Sequence, residues 1–219
     1  MKKLKIGIIA VLSSVLMVLP SNAKEIRVGV AAGLTNVDAS GTETMKDSAK
    51  KNKGSSDKDT VIPSLFVEIA NDSGFGLGLE IVPGTADIGS KSRADDDMDT
   101  AGGNKASAEI DGLISVYGIK TFDTGFFVKA GMTQTDVVTK ETLNTGTTYG
   151  NQTVDGLLVG LGFHKTRDNG MFFRASAEYT DYESVALTGS ESGADTASFN
   201  VINADVDTTA FKISVGKTF

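Results

Sequence analysis

The chain has 219 residues, a formal charge of −7 and no cysteine. That length suits one domain of ordinary size. The acidic balance supplies no basic stripe for nucleic acid, so none is expected as a partner, and the absence of thiols excludes disulfides, cysteine-ligated zinc and thiol catalysis.

Residues 1–23 read as a cleaved secretory signal. Lys2, Lys3 and Lys5 precede an apolar run over 6–19, Pro20 breaks it, and Ser21-Asn22-Ala23 offers a small-residue cleavage site. The run is short for a membrane helix, and no later run reaches that length. The mature chain is expected over 24–219, made more acidic by the loss of the three lysines.

Beyond the signal, three short turn motifs stand out: Asn71-Asp72-Ser73-Gly74, Phe122-Asp123-Thr124-Gly125 and Arg167-Asp168-Asn169-Gly170. Glycine tolerates positive φ, and the short polar residues bond back to the backbone, so each predicts a hairpin. Between them lie four polar stretches, 39–60, 85–107, 139–153 and 188–205, which read as long loops. Short turns alternating with long loops predict eight strands, with cores at 25–34, 61–70, 75–84, 112–121, 126–135, 157–166, 171–180 and 210–219. Ten residues is the length that a tilted membrane strand needs.

Seven of these segments alternate with period 2. One face carries Ile26, Val28 and Val30, then Leu77, Leu79 and Ile81, then Val159, Leu161 and Phe163. The other carries glycine, alanine, serine and isolated charges of both signs. In the fourth segment Leu113, Ile114, Val116, Tyr117 and Ile119 fall on both phases, leaving its register open. A watered strand surface avoids glycine, whereas the cramped interior of eight strands is just filled by side chains. The apolar face is therefore expected to meet lipid. The expected fold is all-β, an eight-stranded antiparallel up-and-down transmembrane β-barrel.

Arg27, Glu68, Glu80, Lys129, Arg174, Glu178 and Lys212 fall on the inward phase. They are expected to form an interior charge network, because unpaired charge in a dry lumen is prohibitive. With both termini periplasmic, Arg27, Glu68, Lys129 and Arg174 are expected low in the barrel, and Glu80, Glu178 and Lys212 nearer its middle. Phe66, Phe127 and Phe172 suggest a blocked lower end. His164, the one histidine, reads as a packed lumen residue beside the wrong end for surface chemistry, and no serine elbow or triad accompanies it. Asp95, Asp96, Asp97 and Asp99 could hold a hard cation, though solvated loop is the plainer reading. No cofactor is implied. Tyr117, Phe122, Phe126, Phe173 and Phe219 suggest a periplasmic aromatic girdle, and Tyr179 and Tyr182 an outer one.

The chain ends Ala210-Phe211-Lys212-Ile213-Ser214-Val215-Gly216-Lys217-Thr218-Phe219. A terminal Phe219 with Val215, Ile213 and Phe211 at alternate upstream positions resembles the closing strand of bacterial outer-membrane β-barrels; Lys217 departs from that pattern. The chain is similar, as a pattern rather than a long motif, to the small eight-stranded class that includes OmpA-type membrane domains and Opa-like proteins. That resemblance implies export to the bacterial outer membrane and recognition of the C-terminal strand by the barrel-assembly machinery. It implies contact with outer-membrane lipid and lipopolysaccharide. Because the expected barrel uses the chain to its last residue, no periplasmic peptidoglycan-binding domain is expected. It also implies a non-enzymatic, structural or adhesin-like role through four extracellular loops, with a narrow porin-like channel as the alternative and a lipid-modifying enzyme less favoured.

Overall fold

A computed structural model of the protein describes residues 25–44, 51–93, 104–142, 148–190 and 200–219. The strands are β1 (Glu25–Thr44), β2 (Lys51–Ala70), β3 (Phe75–Ile81), β4 (Thr85–Arg93), β5 (Asn104–Thr121), β6 (Phe126–Thr142), β7 (Gln152–Thr166), β8 (Met171–Tyr182), β9 (Val185–Thr188) and β10 (Val201–Thr218). All pairings are antiparallel in the order β1-β2-β3-β5-β6-β7-β8-β10, and β10 returns to β1 from Arg27↔Thr218 to Thr44↔Val201. Closure gives each of the eight staves two neighbours, the condition for a spanning sheet, although the ladder between β2 and β3 ends at Leu65↔Ile81. β4 and β9 prolong β3 and β8 after short breaks, pairing with β5 and β10. The fold is thus an eight-stranded transmembrane barrel with two interrupted staves. The first break contains Pro83, which has no N–H to give a ladder, and faces a bulge between Asp111 and Ile114 on β5.

The three turns share one construction. Gly74, Gly125 and Gly170 have φ of 76°, 84° and 80°, and each N–H donates to the carbonyl three residues back at 2.8–2.9 Å. Each turn glycine also offers its carbonyl to the foot of the next descending strand: Thr121 N–H donates to Gly74 O, His164 N–H to Gly125 O and Thr218 N–H to Gly170 O. The turns therefore knit neighbouring hairpins together as well as reversing the chain.

The large apolar side chains point away from the axis. Ile26, Val28, Val30 and Leu34 on β1, Val159, Leu161 and Phe163 on β7, and Phe211, Ile213 and Val215 on β10 are all exposed. β5 takes the register in which Ser115, Tyr117 and Ile119 point inward and are buried. Tyr117 is therefore in the lumen, not in a periplasmic girdle. Its ring lies over Gly78, the cross-strand partner that has no side chain to displace it. Tyr182 likewise turns inward and is buried, leaving Tyr179 exposed at the outer boundary.

The polar stretches at 39–60 and 85–107 are not loops over the described residues. β1 and β2 stay paired up to Thr44↔Lys51, and β4 and β5 up to Arg93↔Asn104. Twenty residues at about 3.4 Å each give roughly 65 Å, far more than an apolar band about 25 Å tall requires even with a 40° tilt. About half of β1 and β2 therefore stands outside the membrane.

The sequence changes accordingly, without any slip of phase. On β1 the outward residues run Ile26, Val28, Val30, Ala32, Leu34, then Asn36 and Asp38. The inward residues run Arg27, Gly29, Ala31, Gly33, Thr35, then Val37. Below Leu34 the outside is apolar and the inside polar; above it the faces exchange. β6, β7 and β10 follow in the same way, β5 does so after the phase shift at its bulge, and β2 keeps the polar Ser56, Lys58 and Thr60 on its inward phase. Val37, Ile110, Val137, Val154, Tyr182, Val185, Leu187 and Val206 form an apolar core inside the protruding part. The solvent there is water on the outside, so the burial rule is that of a soluble barrel. At the boundary, Asp57↔Asp38, Asp38↔Asp207 and Asp207↔Asp181 face one another directly across four adjacent strands. Asn36 donates to Asp57 and Asp59, each at 3.0 Å, which tempers one end of the row.

Candidate functional site

The interior is built in layers from the end that carries the three short turns. Phe66, Phe127 and Phe172 are buried at the bottom. Each lies on a cross-strand glycine: Phe66 on Gly29, Phe127 on Gly162 and Phe172 on Gly216. A Cβ at those glycines would come within 2.4–2.8 Å of the ring. The glycines of the polar face thus supply volume for aromatic plugs, a pairing of short and bulky residues that also covers the exposed glycine backbone.

Above the rings lies the first ion cluster. Glu68, with no solvent exposure, receives both terminal nitrogens of Arg174 at 2.6 and 2.8 Å and the Tyr117 hydroxyl at 2.9 Å. Arg27 stands 3.7 Å from the same carboxylate and closer, at 2.7 Å, to Glu25 at the rim. The Arg174 guanidinium sits 4.9–5.6 Å from the ring centroids of Phe127, Phe66 and Phe172, where ring quadrupoles favour a cation. Arg174 Nη2 also approaches His164 Nδ1 at 3.4 Å, and His164 Nε2 lies 2.9 Å from Thr166 Oγ1. His164 is buried against the Phe172 ring.

The second cluster is a closed ring of alternating charge. Lys129 meets Glu80 at 3.3 Å and Glu178 at 2.7 Å; Lys212 meets Glu80 at 2.6 Å and Glu178 at 2.9 Å. Ser64 donates to Glu80 at 2.7 Å and Ser176 to Glu178 at 3.1 Å. Charge-assisted bonds of this kind offset much of the desolvation that buried ions incur. Lys129 does not join the lower group as its sequence position suggests. It pairs with Gly160, which pairs with Glu178. At that glycine a Cβ would lie 3.0–3.1 Å from both side chains, so strand stagger and the absent side chain let Lys129 reach the middle tier. Tyr117 separates the tiers, with its hydroxyl on Glu68 and its ring 4.5 Å below the Lys129 ammonium.

Between the tiers lies a pocket of about 10 Å³, bounded by Tyr117, Phe127, Lys129, Arg174 and Glu178 among others, which is the room of about one water. The interior can hold charge and exclude solvent.

At the short-turn end Phe122 stacks on Phe126 and Phe126 meets Phe163 edge-on, at 5.9 and 5.6 Å between ring centroids. Phe211, Ile213 and Val215 face outward on β10, Phe219 bonds reciprocally with Ile26, and Lys217 lies 5.5 Å from the Phe219 ring. Asp95–Asp99 and residues 1–23 lie outside the described residues. Among the described residues no group of acids, histidines or cysteines could hold a metal ion. Lys58, from the polar stretch 39–60, pairs with Asp87 at 2.8 Å across the seam where β2 runs beside β4; this ammonium holds the exposed Asp87 carboxyl below its usual range.

No family model matches the chain, and no curated protein matches it by sequence. Solved structures do match. The outer membrane protein OprG from Pseudomonas aeruginosa is 13% identical with a TM-score of 0.57, over 88% of this chain and 96% of that one. The outer membrane protein AlkL, solved in lipid bilayers, is 12% identical with a TM-score of 0.51, over 91% and 93%. The attachment invasion locus protein Ail of Yersinia pestis, in complex with the heparin analogue sucrose octasulfate, is 12% identical with a TM-score of 0.48, over 89% and 98%. At such identities the likeness is one of fold, and the chain has the fold of the small outer-membrane β-barrel proteins.

Proposed function

We propose that this protein is a non-conducting anchor of the bacterial outer membrane whose protruding β-sheet extension carries a structural or surface-interaction role. The observation behind this reading is the interior: three buried phenylalanines lie beneath two tiers of paired ions, and the pocket between the tiers has room for about one water. The extension supports the second half. A hydrogen-bonded scaffold with its own apolar core stands well clear of the lipid, as surface recognition requires. The signal at 1–23 delivers the chain, the closing strand with Phe211, Ile213, Val215 and Phe219 engages the assembly machinery, and the outer boundary meets lipopolysaccharide. No catalytic role is assigned to His164, whose ring is packed at the periplasmic end.

Planar-bilayer recording of the purified, folded protein tests the reading. The expected result is no unitary conductance. Steady, reproducible open-channel steps would favour the alternative, a narrow porin-like channel, and displace the anchor. Cells displaying a chain in which 38–57 are replaced by a two-residue turn should keep a folded barrel and lose surface binding.

A further inference from the structure

The lipid-facing wall is not evenly filled. On the outward side of β3, β5 and β6, a groove of about 490 Å³ opens near the periplasmic end. Its floor is Gly118, flanked across the strands by Leu77 on one side and Ala130 on the other. One row nearer the periplasm, Phe75, Lys120 and Val128 stand in the same order. The groove is therefore apolar along its length and carries an ammonium at its mouth. Lys120 donates to the Ser73 carbonyl and sits 4.3 Å from the Phe75 ring centroid, which fixes the cation at the level of the first turn. An ammonium has three N–H donors, so this one bond leaves two for a ligand.

We propose that this groove is a binding site for one anionic phospholipid of the periplasmic leaflet, with an acyl chain along Gly118 and the phosphate on Lys120. The occupant follows from the combination. An apolar trough open to the bilayer core takes a hydrocarbon chain, and a cation at the depth of the aromatic girdle selects negative headgroup charge. Lys165 and Lys217 occupy the equivalent last outward position on β7 and β10 and, like Lys120, precede a threonine, so the rim as a whole attracts anionic lipid. The groove beside Lys120 adds a place for the chain. The inference rests on the transmembrane fold and is independent of what the extension binds.

Native mass spectrometry of the detergent-solubilised protein, titrated with phosphatidylglycerol or with phosphatidylcholine of the same acyl chains, tests it. One phosphatidylglycerol should be retained about five-fold more tightly than phosphatidylcholine, the factor that one lysine near a charged surface supplies. Lys120→Gln should reduce that preference to what Lys165 and Lys217 supply, while leaving chain binding. Gly118→Leu should weaken both lipids. An added Cβ at Gly118 meets nothing closer than 3.9 Å, so this variant should fold, as a heat-modifiability gel would register. Equal retention of the two lipids by the wild-type protein overturns the phosphate assignment. Unchanged retention in a folded Gly118→Leu variant overturns the groove.

Discussion

Glu68→Gln is the sharpest perturbation of the interior. The wild-type carboxylate holds Arg174 through two bonds and accepts the Tyr117 hydroxyl, and Arg27 leans toward it. The amide is nearly the same shape, so the change removes charge while keeping volume. It leaves Arg27 and Arg174 in the lower tier with only Glu25, which is itself partly exposed and out at the rim. The upper tier cannot lend a carboxylate, because Glu80 and Glu178 are each shared between Lys129 and Lys212. Breaking a buried pair on one side costs on the order of 3–5 kcal/mol, and the absence of a substitute anion argues for the upper part of that range. Urea titration in lipid vesicles, followed by reversible refolding, measures it. The double variant Glu68→Gln/Arg174→Met should recover part of the loss, since it removes the orphaned cation as well. A Glu68→Gln protein within about 1 kcal/mol of wild type would mean that solvent or a mobile side chain neutralises the arginines, and the dry, balanced interior described above would be wrong.

Leu79→Arg should cost about 2–4 kcal/mol relative to Leu79→Ser in the same assay, the value for a cation near the bilayer midplane; equal insertion of the two would contradict the outward facing of β3. Gly125→Ala must adopt a left-handed φ of 84° and bring its Cβ within 2.6 Å of His164 O, so its cost should exceed the roughly 1–2 kcal/mol of backbone strain alone. Gly112→Ala, at φ 66° with nothing within 4 Å, should show only that strain, and comparing their urea midpoints separates the two terms. Asp38→Asn relieves two directly opposed carboxylates, Asp57 and Asp207, and should stabilise by about 0.2–1 kcal/mol at low salt. That gain should shrink near 1 M salt, where the screening length is about 3 Å; a gain independent of salt would point to packing instead.

Much of this molecule is legible in its residues one at a time. The three Gly-ended turns, the period-2 alternation and the glycine-rich second face are local properties, and local sterics with one-sided burial suffice to derive hairpins and a lipid-facing exterior from them. The inward phase of Arg27, Glu68, Glu80, Lys129, Arg174, Glu178 and Lys212 follows from the same counting.

Which ion meets which depends on stagger between strands, and that is a property of the closed ring. Lys129 sits beside Glu80 and Glu178 only because Gly160 lies between it and Glu178. Tyr117 turns inward because the β5 bulge sets its phase and Gly78 leaves space for its ring. The extension escaped for a different reason. Its strands are polar and rich in serine, threonine and aspartate, and polar composition alone does not distinguish a strand in water from a loop. The hydrogen-bond ladders continue past the membrane because each strand finds a partner already aligned by the barrel below it. Sequence fixes each side chain's face through the pleat of its own strand; the closed barrel decides its neighbours, because register and shear are set jointly by every strand around the ring.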